Sequence, residues 1–387
     1  MGPATSICET TPVSVSRREI AGWLAGEYPG GDEALFAAAR STLDRTVGPE
    51  VWLRGLLEYS NSCRCDCYYC GIRHSAAVAR FDLSDTEILT AARECADAGF
   101  GSMTLQAGER RDQASILRVE RLVREIKTVT CRGGLPEGLG LTLSLGEQRE
   151  ATYRRWYHAG AHRYLLRVET SVPGIFARLH PPHQKFTDRV QALRTLKRIG
   201  YQLGTGVMIG IPGQTVEDLA ADVLFFRDID ADMIGMGPYI PSAAAAPPYR
   251  EAADRSAAER LQLSLRMIAV TRLLIPDLNI AATTALQALS PTGREAGLAA
   301  GANVMMPIVT PVSRRGSYQL YDGKPCVDED SVACRACTPA RAARLGRPVV
   351  PDAWGDAPHA QRGSSPSQCT VSVHCLEGAE DERSSVC

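Results

Sequence analysis

From Val51 to about Pro307 short apolar runs alternate with amphipathic stretches whose apolar residues recur at helical spacing. Runs near 51–57, 102–106, 139–145, 162–168, 202–209, 232–237, 278–283 and 303–306 read as strands. Ser84-Asp85-Thr86-Glu87 and Thr215-Val216-Glu217-Asp218 have the form of capping boxes and open two of the helices between them. Further helices are predicted to start near Ala114, Glu147, Thr187, Ala253 and Pro291. Ahead of this rhythm residues 1–50 read as a helical lead-in, with a capping box at Ser16–Glu19 and Ile20, Trp23 and Leu24 behind it.

Eight strand–helix alternations within 51–307 predict an α/β chain folded as a (β/α)8 barrel. An open doubly wound sheet is the alternative, because periodicity does not say which strands pair. Residues 308–350 are rich in Pro and Arg and form a C-terminal extension. The Gly, Ser, Pro and charged residues of 351–387 predict a disordered tail.

Composition sharpens this picture at one point only. The 387 residues carry 43 Lys plus Arg against 44 Asp plus Glu, so no overall charge speaks for nucleic acid or an anionic membrane. No apolar run is long enough for a membrane span, and the start lacks the basic and apolar regions of a signal peptide. Thirteen cysteines, an odd number, argue against a complete disulfide framework and for reduced, metal-binding thiols in the cytoplasm.

The cysteines cluster. Cys63, Cys67 and Cys70 form C-x3-C-x2-C directly after the first predicted strand. Three thiolates at that spacing can hold three corners of a [4Fe–4S] cube, whereas full ligation takes four. The iron left open is a site where the amino and carboxylate groups of S-adenosylmethionine can chelate, with the sulfonium beside the cluster. Cys65 is then a bystander. A zinc site, or Cys65 as a fourth ligand, is the competing reading, although only one C-x2-C knuckle is present.

In a barrel, chemistry gathers at the C-terminal ends of strands. There the sequence places Gln106-Ala107-Gly108-Glu109, whose carboxylate could hold an ammonium group, and Thr142-Leu143-Ser144-Leu145-Gly146-Glu147. Alternation along the fourth strand puts Arg163, Arg167 and Glu169 on one face. Inward arginines require a facing carboxylate or an anionic ligand. Gly210-Ile211-Pro212-Gly213-Gln214-Thr215 lacks the Gly-Lys-Ser/Thr ending of a phosphate loop, which favours backbone contact with an adenine. Thr283-Thr284 ends the seventh strand as an anion site or a cap.

Taken together these strings resemble the HydE family of radical SAM [FeFe]-hydrogenase maturases, over roughly residues 50–345. The resemblance rests on Glu58–Cys63, Cys70–Arg73, Leu143–Glu147, Arg163–Thr170, Gly210–Thr215, Ala282–Ala285, Gly301–Pro307 and Tyr318–Tyr321. It implies that Cys63, Cys67 and Cys70 hold the [4Fe–4S] cluster. It places Tyr69 near the adenine of S-adenosylmethionine, Ser144, Glu169 and Arg189 at its amino, ribose or carboxylate groups, and Met233 near the cofactor. Arg54, Gln106, Thr142, Arg163, Thr283, Thr284, Tyr318 and Tyr321 match an inner substrate cavity. The implied substrate is a small cysteine-bound iron carbonyl–cyanide complex. The implied partners are an electron donor and the other hydrogenase maturases, a scaffold GTPase and a tyrosine lyase. Cys326, Cys334 and Cys337 match an accessory site for a [2Fe–2S] cluster, with zinc as the alternative. Leu179-His180-Pro181 departs from the Leu-Arg-Pro expected there. The competing enzyme reading is a relative acting on an amino acid, in the manner of methylornithine synthase or biotin synthase. A non-catalytic zinc-binding module is the reading from another class.

Overall fold

A computed structural model describes residues 15–250, 253–328 and 331–362, with the side chains of 331–336 set aside. The eight predicted strands all form: β1 Trp52–Ser60, β2 Ser102–Ala107, β3 Gly140–Ser144, β4 Ala161–Leu165, β5 Gln202–Thr205, β6 Met233–Ile234, β7 Asn279–Ile280 and β8 Val304–Met305. They pair in parallel in the order β8-β1-β2-β3-β4-β5-β6-β7. A bridge between Ala281 and Val304, with Asn303 N–H donating to Ile280 O at 2.9 Å, brings β7 to β8 and closes the circle. Closure excludes the open sheet. Above β5 and β6 the chain pairs once more, Met208–Ile209 against Gly237–Pro238.

Alternation along each strand sends apolar side chains outward and polar ones inward. Leu53, Leu57, Tyr59, Met103, Leu105, Leu141, Leu143 and Tyr164 join the core under the helices. Facing the barrel axis, Glu58, Gln106 and Ser144 lie in one register row across β1, β2 and β3, and Leu56, Thr104, Thr142 and Arg163 in the row below. A barrel filled by Val, Ile and Leu is a packed core. This one carries charged and hydroxyl side chains inside, which must find partners or ligands.

Helices start within a few residues of their predicted positions, and the capping boxes at Ser16, Ser84 and Thr215 are all made. Two short helices, Pro173–Leu179 and Thr284–Leu289, were not legible, being too brief to show a period. The helix expected at Glu147 begins at Glu150. Glu147 stays in the loop, where its carboxylate meets Arg189.

The C-terminal segment departs most from expectation. Ile308 bridges to Leu56, Val349 bridges to Val51, and residues 351–362 lie ordered across the N-terminal end of the barrel. Composition hid this because the anchoring contacts are made by single residues, with no periodic pattern. The rest of the expected tail, 363–387, lies outside the described residues. Among the described residues no helix is long and apolar enough to cross a membrane.

Candidate active site

The cysteine loop leaves the top of β1 and is held from below and behind. Asn61 donates to Ala79 O and Ser317 O, at 2.8 and 2.6 Å, and accepts from Phe81 N–H at 2.8 Å. Arg80 donates to the carbonyls of Asn61, Ile72, Arg73 and His74. Asp66 accepts from Ser75 N–H at 3.0 Å and from Arg73 at 3.1 Å. The loop after β2 closes against it at Gly108, where a Cβ would stand 2.4 Å from Ser62 O and 2.7 Å from Cys63 Cβ.

Cys63 Sγ receives two backbone donors, Cys65 N–H at 3.4 Å and Glu109 N–H at 3.3 Å. The neighbouring Cys65 thiol, with those amides, lowers the Cys63 thiol. Its contact with Cys63 pushes the Cys65 thiol up, so Cys65 stays protonated. Burial raises Cys67 and Cys70. Such thiols ionise when a metal binds. Among the described residues no three His, Cys, Asp or Glu side chains converge closely enough to share one ion. The loop fits a group that spans the space between its thiols, as an iron–sulfur cube does.

Next to the thiols lies a cradle of charge. Arg189, buried, donates to Glu147 Oε1 at 2.5 Å and to Arg167 O. Burial works against its cation, and the Glu147 carboxylate outweighs that and holds it protonated. Glu169 has φ +68°, a strained setting for a residue with a Cβ. Its Oε2 lies 3.0 Å from Arg167 Nη2 yet receives no directed hydrogen bond, which leaves a buried acceptor for a ligand. Tyr69 meets the His180 ring edge-on at 5.7 Å, and His180 stacks on Phe176 at 3.9 Å. Burial and Arg189 lower His180 to about 3, so the ring is neutral. Behind them Gln214 Oε1 accepts from the Gly210 and Ile211 amides. Asp222 accepts from Ser171 N–H and Oγ–H, and burial raises it to about 7.

Tyr318, fully buried, hydrogen-bonds Gln106, and burial followed by the Glu58 charge raises its phenol. Tyr321 is half-buried, and desolvation followed by the Glu58 charge raises its phenol. Thr283 Oγ1 donates to Met236 O at 3.2 Å and makes no cap contact with the helix it begins. Thr284 is the first residue of that helix.

Three sequence expectations change. Arg163 and Arg167 do not share a site: Arg163 lies within β4 against Thr142 and Asp356, while Arg167 follows the strand and meets Glu169 and Val207 O. Arg163, Thr142 and Arg54 belong to the lower barrel; Arg54, Thr142 and Met233 line a cavity there. Met233 starts β6 and accepts from Arg54 Nη1 at 2.9 Å, away from the cysteine loop where a cofactor contact was expected. Glu109 is not free for an ammonium group. Arg64 and Arg111 reach it at 3.1 and 2.9 Å, and Glu147 N–H donates to it at 2.8 Å.

In the accessory group Cys326 has φ +64° and Cys337 Sγ accepts from Arg341 Nε at 3.2 Å, while the Cys334 side chain lies outside the described residues. Sequence reasoning missed Glu58, Lys324, Asp222 and Asp356. A charge inside the apolar run of β1 was the one available signal, at Glu58.

Comparison with known proteins agrees with this geometry. Residues 57–226 match the radical SAM superfamily. The chain is 41% identical over 327 residues to the [FeFe] hydrogenase maturase subunit HydE of Thermotoga maritima, spanning 84% of this chain and 89% of that one. It is 28% identical to 3-methylornithine synthase of Methanosarcina barkeri, over 77% and 81% of the two chains. The crystal structure of methylornithine synthase superposes with a TM-score of 0.73 at 24% identity, over 87% of this chain and 94% of that one. Barrel, cysteine loop and superfamily match define a radical SAM enzyme. Within that class the chain belongs to the HydE family of [FeFe]-hydrogenase maturases.

Proposed function

We propose that the enzyme cleaves S-adenosylmethionine reductively at a [4Fe–4S] cluster and directs the radical to a cysteine-bound iron carbonyl–cyanide precursor of the hydrogenase diiron unit. The observation that carries this reading is the polar row Glu58, Gln106 and Ser144 across β1, β2 and β3, at the barrel end from which the Cys63–Cys70 loop leaves. Its uncharged members give a polar lining suited to a polar substrate within the barrel.

When bound, the cluster, reduced by the external electron donor, would pass one electron to the sulfonium of S-adenosylmethionine, breaking its C5′–S bond to release methionine and supply a 5′-deoxyadenosyl radical. Cys63, Cys67 and Cys70 provide the thiolates, and the amides of Cys65 and Glu109 stabilise the charge on Cys63. Arg189, fixed by Glu147, presents its guanidinium to the cofactor carboxylate, and Glu169 accepts from ribose hydroxyls. Tyr69 flanks the adenine, and Ser144, at the top of β3, receives the amino group. Gln106, Tyr318, Tyr321, Thr283 and Thr284 would meet the substrate from above, and Arg54 and Thr142, which line the lower cavity, with Arg163 beside Thr142, would meet it from below. The electron donor, scaffold GTPase and tyrosine lyase act from outside in the cytoplasm.

The test is anaerobic reconstitution, reduction with S-adenosylmethionine, and quantification of 5′-deoxyadenosine with and without the iron precursor. Turnover should rise with the precursor and consume it. Turnover driven by an amino acid such as lysine, with the precursor inert, would replace this reading by a methylornithine synthase-like one.

A further inference from the structure

The end of the barrel opposite the cysteine loop is closed by the chain's own C-terminal segment. Asp352 N–H donates to Gly99 O at 2.8 Å, and Arg132 pairs with the Asp352 carboxylate. Ala353 lies so close to Gly101 that any Cβ there would fall 1.9 Å from Ala353 O. Trp354 stacks on His162 at 4.6 Å, carries Lys127 Nζ over its ring at 4.0 Å, and donates to Gly138 O at 2.9 Å. Gly355 O accepts from Arg54 at 2.9 Å and Asn279 at 2.8 Å. Ala357 N–H reaches Gln202 Oε1, and His359 is gripped by Asp277 and Asp230. Strands β1, β4, β5 and β7 are each engaged within nine residues of chain.

At the centre of this stopper one carboxylate enters the barrel. Asp356 Oδ1 lies 2.6 Å from Arg163 Nη1 and 3.1 Å from His162 Nε2. Arg163 is fully buried, and its other contacts are Thr142 Oγ1 at 3.1 Å and Trp354 O at 2.9 Å. A buried guanidinium needs an anion. Among the described residues Asp356 is the only carboxylate that forms an ion pair with it. Asp356 is therefore the group that neutralises it.

We propose that residues 351–359 are a built-in stopper of the barrel and that Asp356 is a positioning residue, fixing and neutralising Arg163 at the chamber floor. Arg54 is then held at the floor by Gly355 O and Met233 Sδ, and exchange with solvent is confined to the cysteine-loop end. This inference does not depend on which substrate the upper chamber takes.

Chemical rescue tests it on the reconstituted full-length protein. Asp356→Ala removes the carboxylate and opens a pocket of formate size beside Arg163. The melting temperature should fall by several degrees, and millimolar formate should restore it saturably. Wild type and the double variant Arg163→Gln/Asp356→Ala should show no formate effect. Formate raising all three alike, or failing to restore Asp356→Ala, overturns the proposal. Should Asp356→Ala not fold, Asp356→Asn keeps the shape without the charge. Hydrogen exchange should then show the amides of Asp352, Ala357 and His359 protected in wild type and at least tenfold less protected in Asp356→Asn, with β1 to β4 unchanged. Equal protection in both, or a wild-type segment exchanging like free chain, overturns it too.

Discussion

Lys324 Nζ lies 2.5 and 2.6 Å from the two carboxylate oxygens of Glu58, 266 residues earlier, and also donates to Tyr318 O at 2.9 Å. Both side chains are buried. The pair fastens the C-terminal extension, with Tyr318 and Tyr321, over the chamber and beneath the cysteine loop. Gly71 N–H, within that loop, donates to Leu320 O at 2.9 Å, so cluster loop and chamber wall are one unit.

Breaking a buried pair from one side strands a charge. Lys324→Met should therefore destabilise the protein by about 3–5 kcal/mol. The double variant Glu58→Gln/Lys324→Met, which leaves no buried charge unpaired, should recover most of that loss. Denaturant midpoints of the three variants measure it, and an undiminished loss in the double variant would refute the pairing.

Cys65 gives its backbone N–H to Cys63 Sγ at 3.4 Å, and we expect it not to be a ligand. Cys65→Ala should keep the iron content and visible absorbance of the reconstituted [4Fe–4S] cluster. Cys63→Ala, Cys67→Ala and Cys70→Ala should each lose that cluster's share of both, along with 5′-deoxyadenosine formation. Loss of the cluster in Cys65→Ala would make it a ligand.

Arg189 is pre-oriented by Glu147. Arg189→Gln should weaken S-adenosylmethionine binding about 10- to 100-fold, the equivalent of one charge-assisted hydrogen bond at ~1.5–3 kcal/mol. Cluster absorbance should be unchanged. Equilibrium dialysis against the reconstituted protein reads the affinity, and unchanged binding would remove Arg189 from the cofactor site.

His359 sits between Asp230 at 2.9 Å and Asp277 at 3.0 Å, with Lys197 on the far side of Asp230 at 2.8 Å. Hydrogen bonds to Asp230 and then Asp277 raise the imidazole from 6.5 to about 9. A raised value means the stabilisation is complete below pH 6.5 and is lost as the pH climbs through about 9. Unfolding free energy should fall by ~1–2 kcal/mol over that window, allowing for partial exposure. His359→Gln should flatten this slope in urea melts at stepped pH; an unaltered slope would place the titration elsewhere.

The sequence alone determined the strand count, the helix starts and the cysteine loop, because each is written in local signals. Alternation marks β1 to β8, capping boxes mark Ser84 and Thr215, and C-x3-C-x2-C needs no tertiary context to be read. Alternation also placed Arg163, Arg167 and Glu169 on one face, but face is not height. Only the folded barrel decided that Arg163 lies at the floor and Glu169 at the rim. Partners distant in sequence were likewise invisible: Lys324 on Glu58, Arg189 on Glu147, Asp356 on Arg163. A polar side chain in a non-periodic segment looks solvent-exposed until the fold brings a buried opposite charge to meet it. That is why 351–362 read as a loose tail. Charge pairing across the barrel, a long-range electrostatic fact with no local spacing, turned it into the barrel's floor.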